Sequence, residues 1–168
     1  MELLVVRHAI AEDRDVFATT GRGDPERPLT AEGRRRFVKG ARGLREIVEA
    51  IDVLATSTLA RATETGAILA AAYELRGTSQ LGELAPEADP AALVPWLRKH
   101  RSRSLVAIVG HEPHLSRLVE YLLTGSGERG FVSLKKGGAC LLSLGDTPTV
   151  GGAQLRWLLT PAQLRRLG

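Results

Sequence analysis

Three short apolar runs mark the first two thirds of the chain: Leu3-Leu4-Val5-Val6, Val53-Leu54-Ala55 and Leu105-Val106-Ala107-Ile108-Val109. Each is continuous rather than alternating and partly β-branched, the pattern of strands covered on both faces in a parallel sheet. Between them the apolar spacing lengthens to that of helices. Thr30 reads as the N-cap of a helix over 31–50, with Phe37, Ala41, Leu44 and Val48 along one face. A second helix is expected from about Leu59 to Tyr73, carrying Ala62, Ile68 and Leu69. A third spans about 90–100, with Pro90 at its first position. A fourth follows Pro113, with Leu115, Leu118, Val119 and Leu122 on one side. Ala139–Leu144 and Gln154–Leu159 read as two strands joined by the Gly-, Pro- and Thr-rich turn Gly145–Gly152, one of them antiparallel, and a short helix begins at Pro161. Strands alternating with helices predict a three-layer α/β/α sandwich around a mostly parallel central sheet. Segments 11–28 and 76–89 are long and irregular, the kind of loop that carries function or moves.

Composition narrows the picture. A length of 168 residues fits one domain over 1–168. Apolar residues are 43% and charged residues 25%, which excludes a mainly disordered chain. No apolar run approaches ~18 residues, so no membrane span is expected. Met1–Arg7 has no basic region ahead of a long apolar one, so no secretory signal is read and a cytoplasmic location is expected. The single cysteine, Cys140, excludes an internal disulfide and a cysteine metal cluster, and reads as inert core. A net charge of +4 with only 4% aromatic residues argues against nucleic acid as a partner. Arg34-Arg35-Arg36 reads as a solvated helix face.

Ligands of open α/β sheets bind beyond the carboxyl ends of the strands. Arg7-His8 follows the first run, Thr56-Ser57-Thr58-Leu59-Ala60-Arg61 the second, and Gly110-His111-Glu112-Pro113 the third. Two arginines and two histidines therefore collect at one edge. His111 and His114 lack the i, i+4 spacing of a zinc protease helix, and Pro113 interrupts them, so no metal site is expected. Such a cluster, read without carboxylates, suits an anion. A phosphoryl group fits best, because arginine forks match its oxygens in pairs. A neutral imidazole is a competent nucleophile near pH 7, provided its other ring nitrogen donates to an acceptor such as a backbone carbonyl after the first strand.

Val6-Arg7-His8-Ala9, Ser57-Thr58-Leu59-Ala60-Arg61-Ala62-Thr63-Glu64-Thr65 and Gly110-His111 resemble, in order, the three signatures of the histidine phosphatase superfamily, whose fold is phosphoglycerate mutase-like. Arg27-Pro28-Leu29-Thr30 and Val109-Gly110-His111-Glu112-Pro113 look most like its small SixA-type phosphohistidine phosphatases. The resemblance covers 1 to about 123. It implies a phosphatase without a cofactor, with His8 as the transiently phosphorylated nucleophile. Arg7 and Arg61 would hold phosphoryl oxygens, and His111 would contact the same group. Arg27 would stand at the pocket mouth and Ser57 would position its loop. Ala9 stands where the family usually has glycine, which leaves the nucleophile intact and restricts the backbone.

The general acid is the open position. The family's esterases and mutases carry an acidic residue after the second helix, a region held here by Glu83, with Glu87 and Asp89 as rivals. An alcohol leaving group needs that proton and imidazole needs it far less, so SixA-type enzymes manage without it. The expected substrate is phosphohistidine on a signalling or phosphotransfer protein. The alternatives are a small-molecule phosphomonoesterase acting on a sugar phosphate or nucleotide with Glu83 as acid, and a phosphate-binding module without chemistry. Taken singly, Arg7-His8, Arg61 and His111 each have a bland explanation; their joint occurrence is what points to a phosphoryl site. His100 reads as a helix-closing residue, His114 as facing solvent or the pocket rim, and Lys135-Lys136 as a turn near the substrate entrance.

Overall fold

The three apolar runs lie side by side in the middle of a six-stranded sheet. The computed structural model describes residues 1–127 and 130–168. Its strands are β1 (Glu2–Arg7), β2 (Val53–Thr56), β3 (Ser79–Gln80), β4 (Leu105–Gly110), β5 (Ala139–Ser143) and β6 (Gln154–Leu159), in the order β3-β2-β4-β1-β5-β6. β1, β2, β3 and β4 are mutually parallel; β5 runs antiparallel to β1, and β6 antiparallel to β5. The helices are α1 (Arg14–Ala18), α2 (Ala31–Arg45), α3 (Ala60–Ala72), α4 (Val94–Lys99), α5 (His114–Thr124) and α6 (Pro161–Leu167). The result is the α/β sandwich expected.

Strand side chains alternate between two cores, as the two-residue repeat requires. Leu4, Val6, Leu54, Ala107, Val109 and Leu141 pack beside Phe37, Ala41 and Leu44 of α2, Leu69 of α3 and Leu164 of α6. Leu3, Val5, Ala55, Val106, Ile108 and Leu142 pack on the other face beside Leu97 of α4 and Leu115, Leu118 and Leu122 of α5. The connections after β1 and β4 thus leave on opposite faces although these strands are neighbours. That divergence opens a crevice between their carboxyl ends.

Several elements differ from expectation. The first long helix ends at Arg45, not 50: the backbone N–H groups of Glu46 and Ile47 turn back on Gly43 and Leu44, and Val48 and Ile51 drop into the core. The segment 90–100 is a 3₁₀ turn, Pro90–Leu93, followed by the short α4. Pro95 has no N–H to return to the Ala91 carbonyl, which bonds Val94 instead. Segment 11–28 contains α1 and a 3₁₀ turn at Asp24–Glu26 and is closed at its neck by an Ala11–Leu29 bridge and a Glu12 N–H to Pro28 carbonyl bond of 2.9 Å. It is a compact Ω-type loop. Segment 76–89 supplies β3, too short to show a period. As expected, one C-terminal strand opposes the rest of the sheet: β5 runs against β1, and β6, antiparallel to β5, runs with β1 again. The Arg34-Arg35-Arg36 face is exposed, and Cys140 is buried, with burial pushing its thiol up to about 12.

α3 packs unusually close to β2. A Cβ on Gly66 would collide with the Thr56 Cγ2, so only glycine allows the approach that sets the position of Arg61 one turn earlier. Gly66→Ala should lower stability by about 1–3 kcal/mol. Thr56→Ser deletes the colliding methyl, so adding Gly66→Ala to Thr56→Ser should cost much less, alanine being the better helix former. Urea unfolding of the four proteins measures both steps; equal costs in the two backgrounds would refute the packing account.

Candidate active site

β1 and β4 pair with Arg7 opposite Gly110, which sets His8 beside His111 just past the strand ends. The His8 and His111 ring centroids are 5.0 Å apart, with planes inclined by 48°. β2 pairs Thr56 with Val109, so the Ser57 loop and the start of α3 meet the same edge. A cavity of about 710 Å³ opens there, within the range of small-molecule sites. Arg7, His8, Arg27, Arg61 and His111 all line it.

The backbone around His8 is braced on every side. Its N–H donates to the Gly110 carbonyl at 3.0 Å, and the Arg7 N–H to the Gly138 carbonyl at 3.1 Å. The Gly137 N–H is shared by the Arg7 and His8 carbonyls at 3.1 Å each, from a backbone with φ of +76°, which favours glycine. The Ala9 N–H donates to Thr65 Oγ1 at 3.0 Å, and that hydroxyl donates to the Arg61 carbonyl at 2.6 Å. The His8 loop and the start of α3 are therefore one hydrogen-bonded unit.

His8 Nδ1 lies 2.7 Å from the Ala9 carbonyl. A carbonyl only accepts, so Nδ1 carries the proton and Nε2 of the neutral ring holds a free lone pair. Burial lowers the His8 pKa to about 3, against the Ala9 bond, with help from the charges of Arg61, Arg7 and Lys136. His111 is likewise lowered to about 3, by burial first and then by His8, Arg61 and His114. Its Nε2 sits 2.5 Å from Ser57 Oγ. That oxygen also accepts from the Leu59 N–H at 3.4 Å; with its own proton donated to His111 Nε2, the imidazole hydrogen lies on Nδ1.

Three buried donors of the cavity wall have no protein partner: Arg7 Nε, Arg61 Nε and His111 Nδ1. Leaving a buried donor unpaired costs about 1–3 kcal/mol, and three at one cavity mark a place for an acceptor-rich ligand. The other unpartnered buried side-chain atoms among the described residues, Thr56 Oγ1 and both His114 nitrogens, belong to residues outside this wall.

Carboxylates do enter the cluster, contrary to the sequence reading. Asp24 lines the cavity, 2.8 Å from Arg27 Nε, 3.2 Å from Arg61 NH2 and 3.4 Å from Arg14 Nε. Its backbone carbonyl accepts from Arg61 NH1 at 3.1 Å. Burial works against its charge, but the Arg27 hydrogen bond and the three guanidinium groups outweigh it and hold the carboxyl below its ordinary range. The i, i+3 pair in Asp24-Pro25-Glu26-Arg27, with proline at the first turn position, is the sequence signal that would have found it. Glu112 and Lys136 also line the cavity.

The acid candidates separate. Glu83 sits half-buried in a 3₁₀ turn and is not in the cavity wall; Glu87 is exposed and is in it. Asp89 caps the following turn through the Ala91 N–H at 2.9 Å. Ser57 is buried and reaches the site through His111 rather than through the wall. His114 does not face solvent: it is fully buried, with its pKa lowered to about 4 by burial and the Arg117 charge, against attraction from Asp89. His100 closes α4 as expected.

The family model that matches residues 3–86, half the chain, is that of the histidine phosphatase superfamily, branch 1. The chain belongs to the histidine phosphatase superfamily. It is therefore a phosphatase, a hydrolase acting on phosphoryl groups. An uncharacterized protein of Picosynechococcus sp. (strain PCC 7002) is 32% identical over 95% of this chain and 99% of its own. Among solved structures, the protein histidine phosphatase SixA complexed with tungstate superposes with a TM-score of 0.83 at 22% identity, covering 98% of this chain and 99% of that one. A phosphoserine phosphatase mutant from Entamoeba histolytica, in complex with phosphoserine, gives a TM-score of 0.71 at 14% identity over 97% and 98%. These likenesses establish the phosphoglycerate mutase-like fold. No helix among the described residues is long and apolar enough to cross a membrane.

The buried imidazoles make a pH prediction. Unfolded histidine titrates near 6.5, whereas His8, His111 and His114 resist protonation in the fold down to about 3, 3 and 4. Between those limits the unfolded chain binds protons that the native one refuses, so stability falls as pH drops below about 6.5. The slope is at most about 1.4 kcal/mol per pH unit for each imidazole. Urea unfolding at pH 7.5, 6.5 and 5.5 measures it. In the ligand-free protein the His8 and His111 ring-proton shifts should stay constant from pH 8 to 5; a midpoint near 6.5 in either would refute the desolvated reading.

Proposed function

We propose that the protein is a SixA-like phosphohistidine phosphatase working through a phospho-His8 intermediate. The observation that carries this reading is the set of unpartnered donors on Arg7, Arg61 and His111 around a cavity whose wall also holds the Nδ1-protonated His8. A phosphoryl group supplies the missing acceptors, and the guanidinium groups oppose its charge where it grows in the transition state.

In the first step the Nε2 lone pair of His8 forms a bond to phosphorus while the bond to the leaving group breaks and the leaving group departs with the electron pair. His8 keeps its Nδ1 proton on the Ala9 carbonyl, so the positive charge that develops on the ring is shared with that oxygen. In the second step a water oxygen bonds to phosphorus and the His8 N–P bond breaks, returning its pair to Nε2. Orthophosphate leaves, and the water proton passes to phosphate or solvent. Arg27 and Lys136 stand at the wall where the rest of the substrate would enter.

The leaving group favours a phosphoramidate. Asp24 is held as an anion by Arg27 and Arg61 and is no proton donor at neutral pH. Glu83 is not at the wall. Imidazole, unlike an alkoxide, leaves without strong acid assistance. The phosphotransfer or signalling protein that would carry such a phosphohistidine is the proposed partner. A second reading, a small-molecule phosphomonoesterase, is favoured by Glu87, a carboxyl of the segment after α3 that lines the cavity.

The test compares wild type with His8→Ala, Glu83→Gln and Glu87→Gln on a phosphohistidine-bearing protein and on alkyl phosphates. His8→Ala should abolish both activities by at least about 10³-fold and remove an acid-labile, base-stable phosphoryl label. Neither glutamine variant should slow phosphohistidine cleavage more than about twofold. Rapid ester turnover that Glu87→Gln destroys, with phosphohistidine left uncleaved, would establish the esterase instead.

A further inference from the structure

Glu112 lies between His111 and Pro113, where β4 gives way to α5. Its Oε1 accepts from the Leu134 N–H at 3.0 Å and from Ser116 Oγ at 2.7 Å. The carbonyl of the same Leu134 accepts from Arg7 NH1 at 2.7 Å. One backbone residue is thus gripped on its donor by a carboxylate and on its acceptor by the guanidinium of the strand-end arginine. Leu134 has reason to need the grip: residues 131–135 carry no regular secondary structure, while its side chain is buried in the core on the α4–α5 face.

The charge relation runs the same way. Burial lowers the Arg7 pKa, and attraction by Glu112 opposes that loss. Arg7 and Glu112 together form part of the partition between the cavity at His8 and a neighbouring one of about 530 Å³; both residues, with Pro113, line the two spaces. A guanidinium on such a partition has a cavity on either side to swing toward. Its NH1 is tied to Leu134, and its Nε is buried without a partner.

We propose that Glu112 is a positioning residue for Arg7: through Leu134 it fixes the direction of the guanidinium, so that the remaining donors of Arg7 face the phosphoryl oxygens. Glu112 touches no reacting atom in this scheme. The proposal rests on the reading of Arg7 as a phosphoryl ligand, and it gives a role to Glu112, which the resemblance quoted within Val109–Pro113 without assigning it one.

The experiment is a double-mutant cycle read by calorimetric binding of orthophosphate, with thermal melts recorded alongside. Glu112→Ala should weaken orthophosphate about tenfold, in keeping with loss of a charge-assisted hydrogen bond. Glu112→Gln keeps an acceptor for the Leu134 N–H and loses the charge; it should weaken orthophosphate about two- to threefold. In the Arg7→Ala background either substitution should change affinity by less than about 1.5-fold, because the group being positioned is gone. A loss that persists undiminished beside Arg7→Ala, or no loss in Glu112→Ala, overturns the proposal. If Glu112→Ala does not fold, the cycle on Glu112→Gln decides in the same way, with a loss of two- to threefold that vanishes beside Arg7→Ala expected and any other result against it. Arg7→Ala binding orthophosphate as tightly as wild type would instead bring down the phosphoryl-site reading on which the proposal stands.

Discussion

The crevice is organised around buried nitrogen donors that the fold's own carboxylates satisfy only in part. Arg61 and His111 are 3% and 2% exposed, and Arg7 places its Nε out of reach of water. Burying such groups is costly unless they are paired. The chain meets the cost by halves. Asp24 engages both amino groups of Arg61 and the Nε of Arg27. Glu112 offsets the burial of Arg7 at longer range and steadies the carbonyl it bonds. What these carboxylates leave over is a set of donors facing one space, and an oxyanion is the ligand that balances it.

This arrangement depends on the sheet. β1 and β4 are adjacent and parallel, yet the helices that follow them pack on opposite faces. No connection covers the gap between their ends. Two dipeptides, Arg7-His8 and Gly110-His111, are thereby brought into register by the hydrogen-bond ladder, although about a hundred positions separate them in the chain. α3 is drawn against β2 by Gly66 and delivers Arg61 to the same gap. The Ω-type loop 11–28 supplies Asp24 and Arg27, and its neck is held to α3 and α2 by Glu64, which accepts from the Leu29 N–H at 2.8 Å and pairs with Arg34 at 2.8 Å.

Much of this was legible in the residues, for physical reasons that also explain what was not. Strands buried on two faces must be continuous in apolar residues, so β1, β2 and β4 announced themselves, and strand-end polar groups marked the site. The two-residue β3 has no period to read. The break at Pro95 was visible as a residue but not its consequence, because Pro90 had already claimed the start of a helix. Asp24 escaped because its role is made by tertiary packing: nothing local joins it to Arg61, and only its i, i+3 relation to Arg27 was written in the sequence. Glu83 was chosen by its place in the order of motifs, whereas the fold turns the neighbouring Pro86 and Glu87 to the cavity. His114 showed the opposite failure, a polar residue expected outside that the start of α5 carries fully inside.

The state of the proposed nucleophile and the affinity for the phosphoryl group are set by the same charges. Burial and the fields of Arg61, Arg7 and Lys136 all disfavour a proton on His8; two of those three residues also carry the donors that an oxyanion would satisfy. A site that gathers cations to hold phosphate therefore keeps its imidazole neutral without any dedicated base, and the Ala9 carbonyl needs only to choose which nitrogen stays free. In the proposed phospho-His8 state the ring is cationic, and the bound phosphoryl group offsets the neighbouring guanidinium charges. The field that protected the lone pair is then cancelled at the moment when positive charge must form on the ring. Substituting either arginine by a neutral residue would weaken both functions together, which is why neither can be reassigned to a separate residue elsewhere in the wall.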